Sequence, residues 1–84
     1  MNAKHAKTLA LIFSRPVSGN VRWRDAEALL SALGAELVEA AGSRVRVFLF
    51  NEVRVFHRPH PSPDMNKAAV AGLRGWLENN GVTP

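Results

Sequence analysis

The sequence predicts an α+β fold in the order α-α-β-β-β-α, a three-stranded antiparallel sheet with helices on one face. Three observations carry this expectation. Apolar residues recur at helical spacing up to Gly34 and again after Asn66. The segment between them alternates with the period of two that strands require. Gly42-Ser43 and Asn51-Glu52 divide that segment into three pieces. With 84 residues, the chain has material for one modest core, since a domain of this size hides roughly 60% of its unfolded surface.

The first helix, Ala3 to Phe13, follows from Ala6, Leu9, Ala10 and Phe13 on one side with Lys4 and Lys7 on the wet side. Arg15-Pro16 and Ser18-Gly19-Asn20 end it. The second helix, Trp23 to Leu33, presents Trp23, Ala26, Leu29, Leu30 and Leu33 on one face. Asp25 and Glu27 stand in its first turn, where the helix dipole favours anions, and Gly34 supplies the left-handed stop. Strands are expected over Glu36 to Ala40, Arg44 to Phe50 and Val53 to Arg58. A three-residue loop at the second turn gathers Val45, Val47, Leu49, Val53, Val55 and His57 on one face, and Arg44, Arg46, Phe48, Phe50, Arg54, Phe56 and Arg58 on the other; a two-residue loop mixes the sets. Pro59, Pro61 and Pro63 exclude regular structure after the hairpin. Asn66 then caps a last helix, Lys67 to Asn79, with Ala69, Val70, Leu73, Trp76 and Leu77 inward and Asn80-Gly81 as its end. Gly72 and Gly75 within it are read as permitting close packing.

Composition narrows the function. The absence of cysteine excludes disulfides and thiolate metal sites. His57 and His60 have only a distant Asp64 to complete a metal shell, so no metal or cofactor is expected. No apolar run approaches the roughly 18 residues of a spanning helix, and Leu9 to Phe13 is too short for a secretory signal, which makes the cytoplasm the expected compartment and no membrane the expectation. The net charge of +4 is concentrated at the N-terminus (Lys4, Lys7, Arg15) and in the hairpin (Arg44, Arg46, Arg54 and Arg58 against Glu52). Hairpin arginines interleaved with Phe48, Phe50 and Phe56 suit nucleic acid, because guanidinium forks hold phosphates and aromatic rings stack on unpaired bases. The same phenylalanines also suit packing beneath a helix. His57 ends a strand, and His60 stands between two prolines beside Arg58, where an imidazole is held still.

The helix Asp25 to Leu33 with Gly34, the Gly42-Ser43 turn, His60-Pro61, and the helix Lys67 to Leu77 with its Asn-Gly end occur in an order and spacing that resembles the HicA family of bacterial toxins, from about Trp23 to Val82. The resemblance implies a fold similar to the double-stranded RNA-binding domain. It also implies a single HicA-like domain over residues 1–84, with 1–20 an added N-terminal helix and linker, as in a variant branch of the family, and 21–84 the shared core. The implied function is a toxin of a type II toxin–antitoxin system, an endoribonuclease acting on mRNA that a HicB-like antitoxin covers. The family's active-site histidine follows the Gly-Ser turn directly, and here that position is Arg44, which cannot act as a base.

Metal-free RNA cleavage needs a base for the 2′-OH, cations for the charge at phosphorus, and an acid for the leaving 5′ oxygen. His57 or His60 is the candidate base, Arg44 and Arg46 the candidate clamp on the scissile phosphate, and Ser43, Arg54, Arg58 and Lys67 the candidates for holding the RNA backbone. Two other readings stand beside the ribonuclease. One is a non-catalytic RNA- or DNA-binding module on the same fold, which Arg44 explains directly; the other is a protein-interaction domain anchored by the hairpin phenylalanines.

Overall fold

A computed structural model describes all 84 residues, Met1–Pro84. The elements are α1 (Ala3–Ile12), α2 (Trp23–Ala32), β1 (Glu36–Glu39), β2 (Arg44–Leu49), β3 (Glu52–His57) and α3 (Lys67–Asn79), the order the sequence predicts. The sheet has the strand order β1-β2-β3, antiparallel throughout, which leaves β1 and β3 as edges. No helix is long and apolar enough to cross a membrane.

Local chemistry sets each boundary. Asn66 caps α3 by accepting the Ala69 N–H at 2.8 Å, and Asn2 caps α1 in the same way through His5 N–H. Two helices end in the same device. At α2, Ala35 N–H donates to Leu30 C=O and Gly34 N–H to Ser31 C=O, while at α3 Val82 N–H donates to Leu77 C=O and Gly81 N–H to Glu78 C=O. Both are Schellman closures, and Gly34 (φ 103°) and Gly81 (φ 78°) stand at the left-handed position each requires.

The helices meet one face of the sheet around a core of fourteen buried apolar residues. Leu9 and Ile12 of α1, Leu29 and Leu30 of α2, and Leu73 and Leu77 of α3 pack there with Val45 and Val47 of β2. The loop before α3 is pinned to the start of α2, since Trp23 N–H donates to Pro63 C=O at 3.0 Å and Met65 N–H to Val21 C=O at 2.8 Å.

The second hairpin turn corrects the face assignment. Leu49 pairs with Glu52, so the loop holds two residues, Phe50 and Asn51, both at φ 58°. Two successive left-handed residues are the mark of a type I′ turn, whose twist matches that of the flanking strands. Asparagine tolerates this conformation. Phenylalanine does not, and its strain is offset by an edge-to-face contact with Trp76, ring centroids 5.5 Å apart at 83°. The register therefore moves all of β3 by one face. Arg54, Phe56 and Arg58 lie on the helix side with Val45, Val47 and Leu49, whereas Val53, Val55 and His57 lie on the open side with Arg44, Arg46 and Phe48. Replacing Asn51 by valine should cost about 1–2 kcal/mol in urea unfolding, because a β-branched residue resists the left-handed region, while Asn51→Gly should be neutral or slightly stabilising.

Candidate nucleic-acid interface

The open face of the sheet collects cations, an imidazole and exposed apolar side chains. Arg58 N–H donates to Ser43 C=O at 2.7 Å, so Ser43 and Arg58 form a hydrogen-bonded pair. The next pair inward, Arg44 and His57, is then a non-hydrogen-bonded one, the kind whose Cα atoms approach to about 4.5 Å and whose side chains stand closest. Arg46 pairs with Val55 and is the diagonal neighbour of His57 on the same face. All three polar side chains are exposed. Arg44 is steadied from behind, since its Nε donates to Ala41 C=O at 3.0 Å across the Gly42-Ser43 turn. Gly42, at φ 71°, gives that turn its left-handed step.

Beside this cluster lie Val38, Phe48, Val53 and Val55, which are 39 to 53% exposed. Exposed valines on a sheet face are ordinary one at a time. Four large apolar residues next to two arginines form a patch that a partner molecule would bury. β3 is also an edge strand with no proline or bulge to protect it, so its outer backbone groups are open to a partner.

The other predicted residues take different places. Arg54 lies on the helix side, its guanidinium carbon 5.4 Å from the centre of the Trp76 ring. Arg58, also on that side, reaches Glu39 at 2.6 Å and Glu27 at 4.0 Å, tying β3 to β1 and α2. Ser43 is exposed in the turn before β2. Lys67 opens α3 near Gly19. His60 is exposed in the loop that the Trp23 and Met65 backbone bonds pin in place. The structure thus unites Arg44, Arg46 and His57, while Arg54 and Arg58 work against other protein groups. No three His, Asp or Glu side chains converge to hold a metal ion.

One feature was not apparent from periodicity. Between β3 and α3 runs a cleft of ≈ 270 Å³ walled by Phe56, Leu73 and Ala69, with Arg54, Asn66 and His57 at its margins. Its floor is Trp76, buried and fixed by an indole N–H bond to Glu52 Oε1 at 2.8 Å. The sequence signal was Gly72. Read as a packing glycine, it turns out to face open space: a Cβ there, or at Gly75, would meet nothing within 4 Å. A broader depression of ≈ 540 Å³ at the hairpin tip has Glu52 as its one ionisable group and does not suit a polyanion.

A family model described as the HicA toxin of bacterial toxin–antitoxin systems matches residues 23–81. No curated protein matches, and no solved structure does.

Proposed function

This chain belongs to the HicA toxin family of bacterial toxin–antitoxin systems, and from that premise we propose that it is an RNA-binding toxin, a metal-independent endoribonuclease of mRNA held inactive by a HicB-like antitoxin. The observation that carries the proposal is the pairing of His57 with Arg44 across β2 and β3. Arginine occupies the position where the family resemblance calls for histidine, and an imidazole stands on the facing strand, on the same side of the sheet. The imidazole opposite Arg44 takes over, in this proposal, the part of the base.

In this reading the scissile phosphate lies over Arg44 and Arg46, whose guanidinium groups remain charged and offer paired donors to its oxygens. His57 takes the proton from the 2′-OH, the 2′ oxygen attacks phosphorus, and the bond to the 5′ oxygen breaks. The arginines stabilise the charge that builds on the non-bridging oxygens. The leaving 5′ oxygen takes up a proton, for which His60, three residues beyond His57 in the pinned loop, is the candidate donor. Products are a 2′,3′-cyclic phosphate and a free 5′-OH. Ser43 and Lys67 hold the chain on either side, Arg54 meets it at the cleft, and Arg58 supports the site through its acidic partners.

The test is incubation of purified protein with RNA in chelator-containing buffer. Shortening of the RNA with cyclic phosphate ends supports the ribonuclease. Salt-sensitive binding with intact RNA makes the chain a non-catalytic binding module instead.

The exposed apolar residues favour an antitoxin seated on this same face, since protein interfaces bury apolar side chains at their centre and RNA does not require them. Val53→Asp and Val55→Asp are expected to fold normally, because both positions are half exposed. They should escape neutralisation: growth arrest persists when the neighbouring antitoxin gene is co-expressed, whereas the parent chain is silenced. Retained neutralisation of both variants would place the antitoxin elsewhere.

A further inference from the structure

We propose that the cleft between β3 and α3 is a base subsite that takes an unpaired guanine, a reading that rests on RNA as the ligand of the adjoining face. Position is the first argument. His57 and Val55 line the cleft and also belong to the open sheet face, so the cleft mouth adjoins the place where a phosphate would lie over Arg44 and Arg46. The volume, ≈ 270 Å³, is far more than a single water molecule needs.

The chemistry of the walls selects the base. Phe56, Leu73 and Ala69 offer the apolar surfaces between which a flat heterocycle packs. Arg54 is held over the Trp76 ring and has no carboxylate partner, so its outward donors are free. The Asn66 Oδ1 is occupied by the Ala69 N–H, which leaves its amide NH2 as a donor. The donors of Arg54 and Asn66 suit a base edge made of acceptors. Guanine presents O6 and N7 side by side, matching a guanidinium fork, whereas adenine and cytosine present an amino group that would meet these donors head on.

Gly72 keeps the cleft open. It is exposed, mid-helix and without a positive φ, and a Cβ there would meet nothing within 4 Å. Glycine is costly inside a helix. Gly75, equally unhindered, lies off the cleft, but Gly72 is on its wall, where a side chain would project into the space a base needs.

The experiment is an amide and indole NMR titration of the full chain with 5′-GMP, 5′-AMP, 5′-CMP, 5′-UMP and inorganic phosphate. GMP is expected to shift the Trp76 indole and Gly72 amide signals saturably, while phosphate shifts only the surroundings of Arg44 and Arg46. Gly72→Leu should fold at least as stably and lose the GMP response at those signals. Arg54→Gln should reduce the preference for GMP over AMP by about tenfold. GMP shifts confined to Arg44 and Arg46, equal responses to all four nucleotides, or unchanged binding by Gly72→Leu would each overturn the subsite. The two readings fail separately. RNA cleavage by the parent chain without guanine beside the cut sinks the subsite and leaves the ribonuclease standing, and GMP binding without cleavage does the reverse.

Discussion

His57→Ala is expected to slow RNA cleavage by about 10²- to 10⁴-fold, the range that loss of a positioned general base produces, while RNA affinity stays within a few-fold of the parent chain. The separation follows from residue chemistry. Arg44 and Arg46 remain in the variant and, in the proposed mechanism, supply the salt-dependent attraction to phosphate, and an exposed strand-end histidine contributes little to the core. Arg44→Ala should do something different, weakening binding and cleavage together, since one guanidinium serves both. The most discriminating variant is the double exchange Arg44→His with His57→Arg. It returns histidine to the position after the Gly-Ser turn and keeps the cation directly opposite. Because the pair is cross-strand and non-hydrogen-bonded, the exchange conserves composition, charge and side-chain neighbourhood. Cleavage by the exchanged protein, against none by either single variant, would establish that the pair works as a unit. Full activity in His57→Ala would exclude His57 from proton transfer and direct attention to His60.

Why that pair was not legible beforehand is a matter of one residue in a turn. All six elements could be located in the sequence, and Lys67–Asn79 falls where the Asn66 cap and the Asn80-Gly81 stop place it, although α1 buries Thr8, Leu9 and Ile12 and leaves Ala6 and Ala10 exposed. The hairpin face could not be read so directly, because Phe50 is a poor candidate for a left-handed turn position on local chemistry alone. A three-residue loop respects that preference and puts His57 among valines. The contact between Phe50 and Trp76, residues far apart in the chain, outweighs the local strain and shortens the loop to two. A tertiary contact thus decides which side of the sheet the imidazole faces. The same contact class hid the cleft. Trp76 was readable as a core residue, but its roles as floor for Arg54 and donor to Glu52 depend on β3 lying across α3 with this register. What composition did reveal was the hairpin as the cationic centre; what it did not reveal was that Arg54 lies over the Trp76 ring and Arg58 pairs with Glu39, both on the helix side of the sheet.

The other large effect is on stability and concerns the segment before the family match. Residues 1–22 lie outside the matched region, yet α1 contributes Leu9 and Ile12 to the common core, and Ile12 is fully buried. Ile12→Ala is expected to cost about 2–5 kcal/mol, the loss of transfer energy plus the cavity left where α2 and α3 cannot close in. For a chain whose total stability is on the order of 4–13 kcal/mol, that is a large share and corresponds to a fall in Tm of roughly 10–30 °C. Lys7→Ala, on the wet side of the same helix, should change stability by less than about 0.5 kcal/mol. Function should follow stability here in a way it does not for His57: Ile12→Ala should lower RNA binding, cleavage and antitoxin recognition in parallel as temperature rises, and all three should recover on cooling. A cost below about 1 kcal/mol would mean that α1 merely leans on the domain. A large cost makes α1 an integral layer, because without it the buried surfaces of α2 and α3 that Leu9 and Ile12 now cover would face water.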